Sequence, residues 1–228
     1  MRGIRDYDVN KAYQYALNNA TRSWVNGKRG GRKYGDEYRR QGWVAENRVA
    51  NPTVKTEENE AKASVQKTVE YAYSDYAVAQ MANALGDKES YQLLMERSKN
   101  YRNLFDKSTG FLRARWEDGS WVTPYDPGIP YYVYMYRESN GWMSTFFAPQ
   151  DPEGLIALYP NKAEFEAKLD AVFSTPFGGY EADNMTGWYG MYCVGNQPSQ
   201  GVSYYYYFVG KPEKTQEKID VIMNDYYA

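Results

Sequence analysis

The amino-acid sequence predicts an all-α fold, and three observations carry that prediction. Apolar residues recur at helical spacing, glycines close the runs, and one link between runs is short enough to force a helical hairpin. Val9, Tyr13, Ala16, Ala20 and Trp24 share one helix face, and Gly27 with Gly30-Gly31 breaks that run. Val65, Val69, Ala72, Tyr76 and Ala79 mark a second helix that stops near Gly86. Tyr91, Leu94, Ser98 and Tyr101 lie on one face of a third. Only Gly86-Asp87 separates the second run from the third, so the two double back on each other as an antiparallel pair.

From Asp106 to Pro130 the helical period disappears. Lys107-Ser108-Thr109-Gly110 and Glu117-Asp118-Gly119-Ser120 are turn sequences beside short apolar pieces at Phe111-Leu112 and Trp121-Val122, which predicts an irregular hairpin. Helices resume after Glu138. Asp151 is read as an N-cap with Pro152 at the first helical position, opening a short helix through Leu155, Ile156 and Leu158. Asn161 with Glu164 makes a capping-box-like start for Phe165, Leu169 and Val172. A glycine-rich loop runs from Phe177 to Gly195, Tyr204 to Phe208 is a compact aromatic helix or strand, and Pro212 opens a last helix carrying Ile219, Ile222 and Tyr226. The sum is about five to seven helices in a single domain over residues 1–228, joined by long loops rich in aromatic residues. Such loops are too aromatic for disorder and point to function. Asn51 to Glu60 is polar and reads as the exposed stretch.

Composition removes several classes of function. A net charge of −2 with 25% charged residues offers no basic field to nucleic acid. No apolar run approaches the length of a membrane span. Met1 is followed by Arg2-Gly3-Ile4-Arg5-Asp6, so no leader is expected in this chain. Histidine does not occur, which excludes Ser-His-Asp and Cys-His catalysis and every histidine-based metal site. Cys193 stands alone, so no internal disulfide forms. The 25 Tyr and 6 Trp suit a surface that is both apolar and hydrogen-bonding, as a sugar face requires; a tyrosine-rich core with hydroxyls reaching water would use the same residues.

Two constellations carry candidate chemistry. In Tyr136-Arg137-Glu138-Ser139-Asn140-Gly141-Trp142 a carboxyl lies four residues from an indole, on a loop entering a helix. An apolar ring close to a carboxyl favours its neutral form, which is what an acid that protonates a leaving oxygen needs. The same residues also fit a solvated Glu138 paired with Arg137. In Gly195-Asn196-Gln197-Pro198-Ser199-Gln200, amides and a hydroxyl crowd a turn. They suit sugar hydroxyls or a hard cation such as calcium, or an ordinary turn in which Asn and Ser close on their own backbone. Asp118, Asp126 and Asp183-Asn184 are further loop residues, read as solvated turns. Gly27 to Lys33 is basic and glycine-rich but lacks the phosphate-loop pattern, and reads as a helix-to-helix turn. Asn19-Ala20-Thr21 and Asn184-Met185-Thr186 fit the glycosylation pattern weakly.

Taken in order, the residues resemble glycoside hydrolase family 92. Ser64-Val65-Gln66-Lys67-Thr68-Val69-Glu70-Tyr71-Ala72-Tyr73-Ser74-Asp75-Tyr76 resembles that family's Ser-Val-Ser-x-Thr-Leu-Glu-Tyr-Ala-Tyr-Asp-Asp-Trp helix, and Ala79 to Gly86 continues it. Arg97 to Asp106 with Thr109-Gly110-Phe111 follows. Glu138-Ser139-Asn140-Gly141-Trp142 resembles Glu-Gly-Asn-x-Trp, and Gly195-Asn196-Gln197-Pro198-Ser199 resembles Gly-Asn-Glu-Pro-Ser. The similarity runs from about Asp8 to the C-terminus.

The family comprises inverting, calcium-dependent exo-α-mannosidases, secreted or periplasmic, with an N-terminal β-sandwich and a C-terminal (α/α)6 toroid. The resemblance implies that this chain is a partial toroid of helical hairpins without the sandwich, whose open ring the rest of the enzyme or another chain covers. A mannose-containing glycan is the implied ligand. Glu138 takes the acid role, Trp142 flanks the sugar, Asn140, Asn196 and Gln197 contact substrate, and Asn196 with Gln197 lies near Ca2+. Inversion also needs a base that activates water. The family's base lies in a downstream Gly-Asn-Asp-Asp-x-Gly motif, and the chain reaches Ala228 before any such motif. Gln197 stands where the family has Glu, Gln200-Gly201 where it has two histidines, Gln150 where it has His, and Met143-Ser144 where Gln-Tyr follows the Trp. The expectation is therefore an α-mannosidase-like hydrolase short of its base, or a non-catalytic glycan-binding remnant of one.

Overall fold

The structure is a computed structural model that describes residues 6–22, 31–47, 62–130, 135–179, 182, 185–197 and 200–227. The fold is mostly helical, as the periodicity predicts. Helix α1 (Val9–Thr21) begins at Asp8, whose carboxylate accepts from Lys11 N at 2.9 Å. Helix α2 (Gly35–Gln41) has no counterpart in the sequence periodicity; at seven residues it is too short to show one. Helix α3 (Ser64–Leu85) is the longest of the described helices. It ends at Gly86, whose φ of 80° is the left-handed turn that glycine adopts without strain. Asp87 then caps α4 (Lys88–Arg97), and α4 packs back on α3. Tyr13, Ala20, Val78, Ala79, Ala82 and Leu94 form the small core that joins α1, α3 and α4.

The N-terminal half of α3 is different. Ser64, Gln66, Thr68 and Asp75 are buried beside Val65, Val69 and Ala72. Each of the four is hydrogen-bonded, as buried polar groups must be. Thr68 Oγ1 donates to Ser64 O (2.8 Å) and accepts from Val44 N (3.0 Å). Asp75 accepts from Tyr38 OH at 3.0 Å and pairs with Arg32 at 2.6 Å, both carboxylate and guanidinium almost out of water. Of the basic turn expected at Gly27 to Lys33, the described part begins at Gly31 and Arg32 pairs with Asp75, while residues 23–30, Trp24 among them, lie outside the described set.

A turn of 3-10 helix at Asn100–Leu104 leads into the hairpin of β1 (Phe105–Asp106) and β2 (Phe111–Leu112), paired Phe105 with Leu112. A bridge between Arg115 and Trp121 closes the second predicted turn. Helix α5 (Gly141–Ser144) follows the Glu138 loop. Helix α6 (Pro152–Ile156) is capped by Asp151, and α7 (Lys162–Ser174) by Asn161, both as expected. The glycine-rich loop contains a second small hairpin, β3 (Trp188–Tyr189) with β4 (Tyr192–Cys193), which the sequence does not announce. Tyr204 to Phe208 falls in a 3-10 helix, Val202–Val209, and α8 (Pro212–Val221) packs on it before a π-turn at Ile222–Tyr226. The main core gathers Tyr101, Leu104, Leu112, Met135, Tyr136, Phe165, Leu169 and Tyr206 under the loops. No helix among the described residues is long and apolar enough to cross a membrane.

Candidate functional site

The Glu138 loop is laid across the start of α3 and held there by its backbone. Met135 O accepts from Val65 N at 3.1 Å. Tyr136, fully buried, donates from its hydroxyl to Leu112 O at 2.7 Å. Ser139 and Ser144 meet at 2.7 Å, Ser144 donates to Gln66 Oε1 at 2.9 Å, and Gln66 Nε2 donates to Glu70 at 2.9 Å. This buried polar chain runs from the loop into α3. It gives Gln66, a side chain that helical periodicity leaves unexplained, a reason to face inward.

Glu138 itself is half-buried, and its φ of 47° puts it in the left-handed region. A non-glycine residue there costs about 1 kcal/mol or more unless its surroundings hold it. The surroundings do. Asn196 Nδ2 donates to Glu138 O at 2.6 Å, from 58 positions along the chain. Asn140, fully buried, accepts from Met143 N at 3.0 Å as the cap of α5 and donates to Met191 O at 3.2 Å. Gly141 N donates to Pro127 O at 2.8 Å, and a Cβ on Gly141 would lie 2.9 Å from Pro127 and from Tyr136 Oη. Glycine is therefore the residue that lets the loop pass.

The structure brings Glu138 and Asn196 together and separates the other candidates. Asn140 is fully buried, and its amide is bonded to Met143 N and Met191 O. The Trp142 ring meets Phe111 edge-on at 4.9 Å and lines a cavity between the β1–β2 turn and α7 whose lining does not include Glu138. Gln197 is exposed and lines a separate aromatic recess of about 230 Å3 with Phe146, Phe147, Tyr204 and Phe208. Asp118 and Asp126 close ordinary turns on Ser120 and Gly128, as expected. Asp183, Asn184, Pro198 and Ser199 lie outside the described residues.

Charged groups that sequence pattern does not single out surround the start of α3. Burial and the like charge of Arg137 bring the Lys67 ammonium down to about 8, while Glu46 and Glu70 act the other way. Burial raises the Glu46 carboxyl, which accepts from Ser64 Oγ at 2.8 Å. Val44-Ala45-Glu46-Asn47 carries no signal by which Glu46 could have been found.

A model of the glycosyl hydrolase family 92 catalytic domain matches residues 1–228. The chain belongs to glycosyl hydrolase family 92. Among solved structures, it is similar to the family-92 α-mannosidase of Bacteroides thetaiotaomicron in complex with mannoimidazole. That likeness has 29% identity and a TM-score of 0.82, over 97% of this chain and 28% of that one. It is similar as well to an inverting family-92 mannosidase from Bacteroides thetaiotaomicron VPI-5482, at 27% identity and a TM-score of 0.78, over 97% of this chain and 30% of that one. An uncharacterised secreted glycosidase of Arthroderma benhamiae is 28% identical over 171 residues, which is 20% of its length. The family-92 chain thus spans less than a third of each of these relatives.

The described residues of the family-92 chain do not by themselves fit calcium. A hard cation takes about six to eight oxygens, several from carboxylates. Among the described residues no group of three or more Asp, Glu, Cys or His side chains gathers. At position 197, beside Asn196, the sequence has an amide, Gln197, where a carboxylate would be the stronger ligand.

Proposed function

We propose that this chain is the acid-bearing part of an α-mannosidase catalytic domain, a portion of the (α/α)6 toroid that the family resemblance implies. Glu138 protonates the glycosidic oxygen of a terminal α-linked mannose as the bond to the leaving sugar breaks. The observation that supports this most is the convergence of the two motifs: Asn196 holds the Glu138 carbonyl at 2.6 Å and fixes a backbone in the left-handed region. A carboxyl whose backbone cannot swing is held where one proton transfer needs it. Asn196 is a positioning residue in this scheme, as are Asn140 and Gly141. Because the chain spans 28% of the similar mannosidase, the base that activates water is assigned to the remainder of such a protein. The glycan's further contacts come from there too.

One observation favours a second reading, a glycan-binding unit without turnover. Gln197 replaces a carboxylate, and no carboxylate cluster forms among the described residues. Calorimetric titration with α-linked mannobiose, paired with a mannose-release assay in calcium or in chelator, both on the protein that carries this chain, separates the two. Saturable binding together with mannose release that Glu138→Gln removes supports the acid. Binding with no release selects the glycan-binding unit, and neither binding nor release overturns both.

A further inference from the structure

The open cavity between the β1–β2 turn and α7 has its own chemistry. It offers about 760 Å3, within the range of small-molecule sites. Lys107, Ser108, Thr109, Trp142, Glu164 and Lys168 are among its lining residues. Lys168 projects from α7 over two rings: its Nζ lies 3.1 Å from the Phe111 centroid and 5.0 Å from that of Trp142. Its hydrogen bond goes to a neutral acceptor, Thr109 O, at 3.1 Å.

Three other deeply set cations are neutralised differently, each by a carboxylate close by. Arg32 has Asp75 at 2.6 Å, Lys62 has Glu37 at 2.9 Å, and Arg113 has Asp106 at 2.9 Å. Lys168 has no carboxylate within ion-pair distance among the described residues, although Glu164 lies one turn earlier on the same helix. Glu164 instead accepts from Asn161 Nδ2 at 3.2 Å. Burial alone lowers the Lys168 ammonium, to about 8, with no opposing carboxylate. An ammonium withdrawn from water and not neutralised attracts an anion more strongly than an exposed lysine does. The Trp142 indole in the lining, with Ser108 and Thr109 beside it, suits a flat-faced polar ring.

We propose that this cavity is a ligand site, separate from Glu138, for a small anionic saccharide whose carboxylate or phosphate pairs with Lys168 while its ring lies against Trp142. The site uses no residue of the acid loop except Trp142, and it stands whether or not Glu138 is the acid.

Calorimetry on the whole chain with four probes tests it: glucuronate, mannose 6-phosphate, mannose and inorganic phosphate. The expected result is saturable binding of glucuronate or mannose 6-phosphate, with mannose and inorganic phosphate each at least about tenfold weaker, since each lacks one half of the recognition. Which ring anion binds identifies the charged group. Lys168→Gln is expected to weaken that binding about tenfold or more, and Lys168→Arg to hold it within about threefold. Near-UV circular dichroism of both variants monitors the fold. Failure of both ring anions to bind, equal binding of inorganic phosphate or of mannose, or undiminished binding in a folded Lys168→Gln protein overturns the proposal.

Discussion

The Glu138 loop and the Lys168 cavity satisfy their polar groups in different ways. On the loop side, Ser139, Asn140, Ser144, Gln66 and Asn196 are all spent on protein partners. On the cavity side a cation rests on aromatic faces and one carbonyl. The first pattern is what holds a reactive group still; removing any member leaves a buried partner unsatisfied. The second leaves attraction unspent. The loop therefore loses stability when altered, whereas the cavity has stability to gain.

The comparison is broken most severely at Asp75. Asp75→Ala strands the guanidinium of Arg32 against α3, and equilibrium urea unfolding is expected to show a loss of about 3–5 kcal/mol. A loss under about 1 kcal/mol, the scale of an exposed pair, would place the ion pair outside the framework that supports the loop. Gly141→Ala comes next. Its Cβ would crowd Pro127 and the Tyr136 hydroxyl at 2.9 Å, and the same assay is expected to show a cost of about 1–3 kcal/mol. An unchanged midpoint would mean that the loop moves freely.

Asn196→Ala is expected to cost about 1 kcal/mol or more of stability and to weaken mannobiose binding, because Glu138 loses the tie on its left-handed backbone. Asn196→Asp keeps the shape but cannot donate, so it is expected to behave as Ala does. Wild-type binding by both variants would make the 2.6 Å contact incidental.

The effect of opposite sign lies on the cavity side. Burial brings the Lys168 ammonium to about 8, against 10.5 for a lysine in water. Below about pH 8 both states carry the proton but the unfolded chain holds it more favourably, so the charge penalises folding in full; the penalty falls away as pH rises from about 8 towards the unfolded value. Lys168→Met is accordingly expected to be more stable than the wild type near neutral pH, with the gain shrinking in alkaline buffer. A pH-independent difference would show that the ammonium is not strained by burial.

What the sequence made legible was local. The capping chemistry of Asp151 and Asn161, the Gly86 stop and the turns at Lys107 and Glu117 depend on neighbours a few residues away, and the structure has each of them. What it concealed is long-range. The tie from Asn196 to Glu138 crosses 58 positions, and that from Arg32 to Asp75 joins a basic turn to a helix interior. Trp142 meets Phe111 and lies under Lys168, contacts that its spacing from Glu138 does not announce. Short elements such as α2 and the β3–β4 hairpin hold too few residues to show a period.

The central claim is that Glu138 is an acid held in place by Asn196. Mannose release from α-linked mannobiose by the protein that carries this chain tests it most directly, with Glu138→Gln and Asn196→Ala compared. The account predicts a fall in kcat of about 100-fold or more for Glu138→Gln and a smaller fall for Asn196→Ala, with mannobiose binding retained by Glu138→Gln. Turnover that Glu138→Gln leaves unchanged, or a protein that neither binds nor cleaves mannobiose, would contradict it.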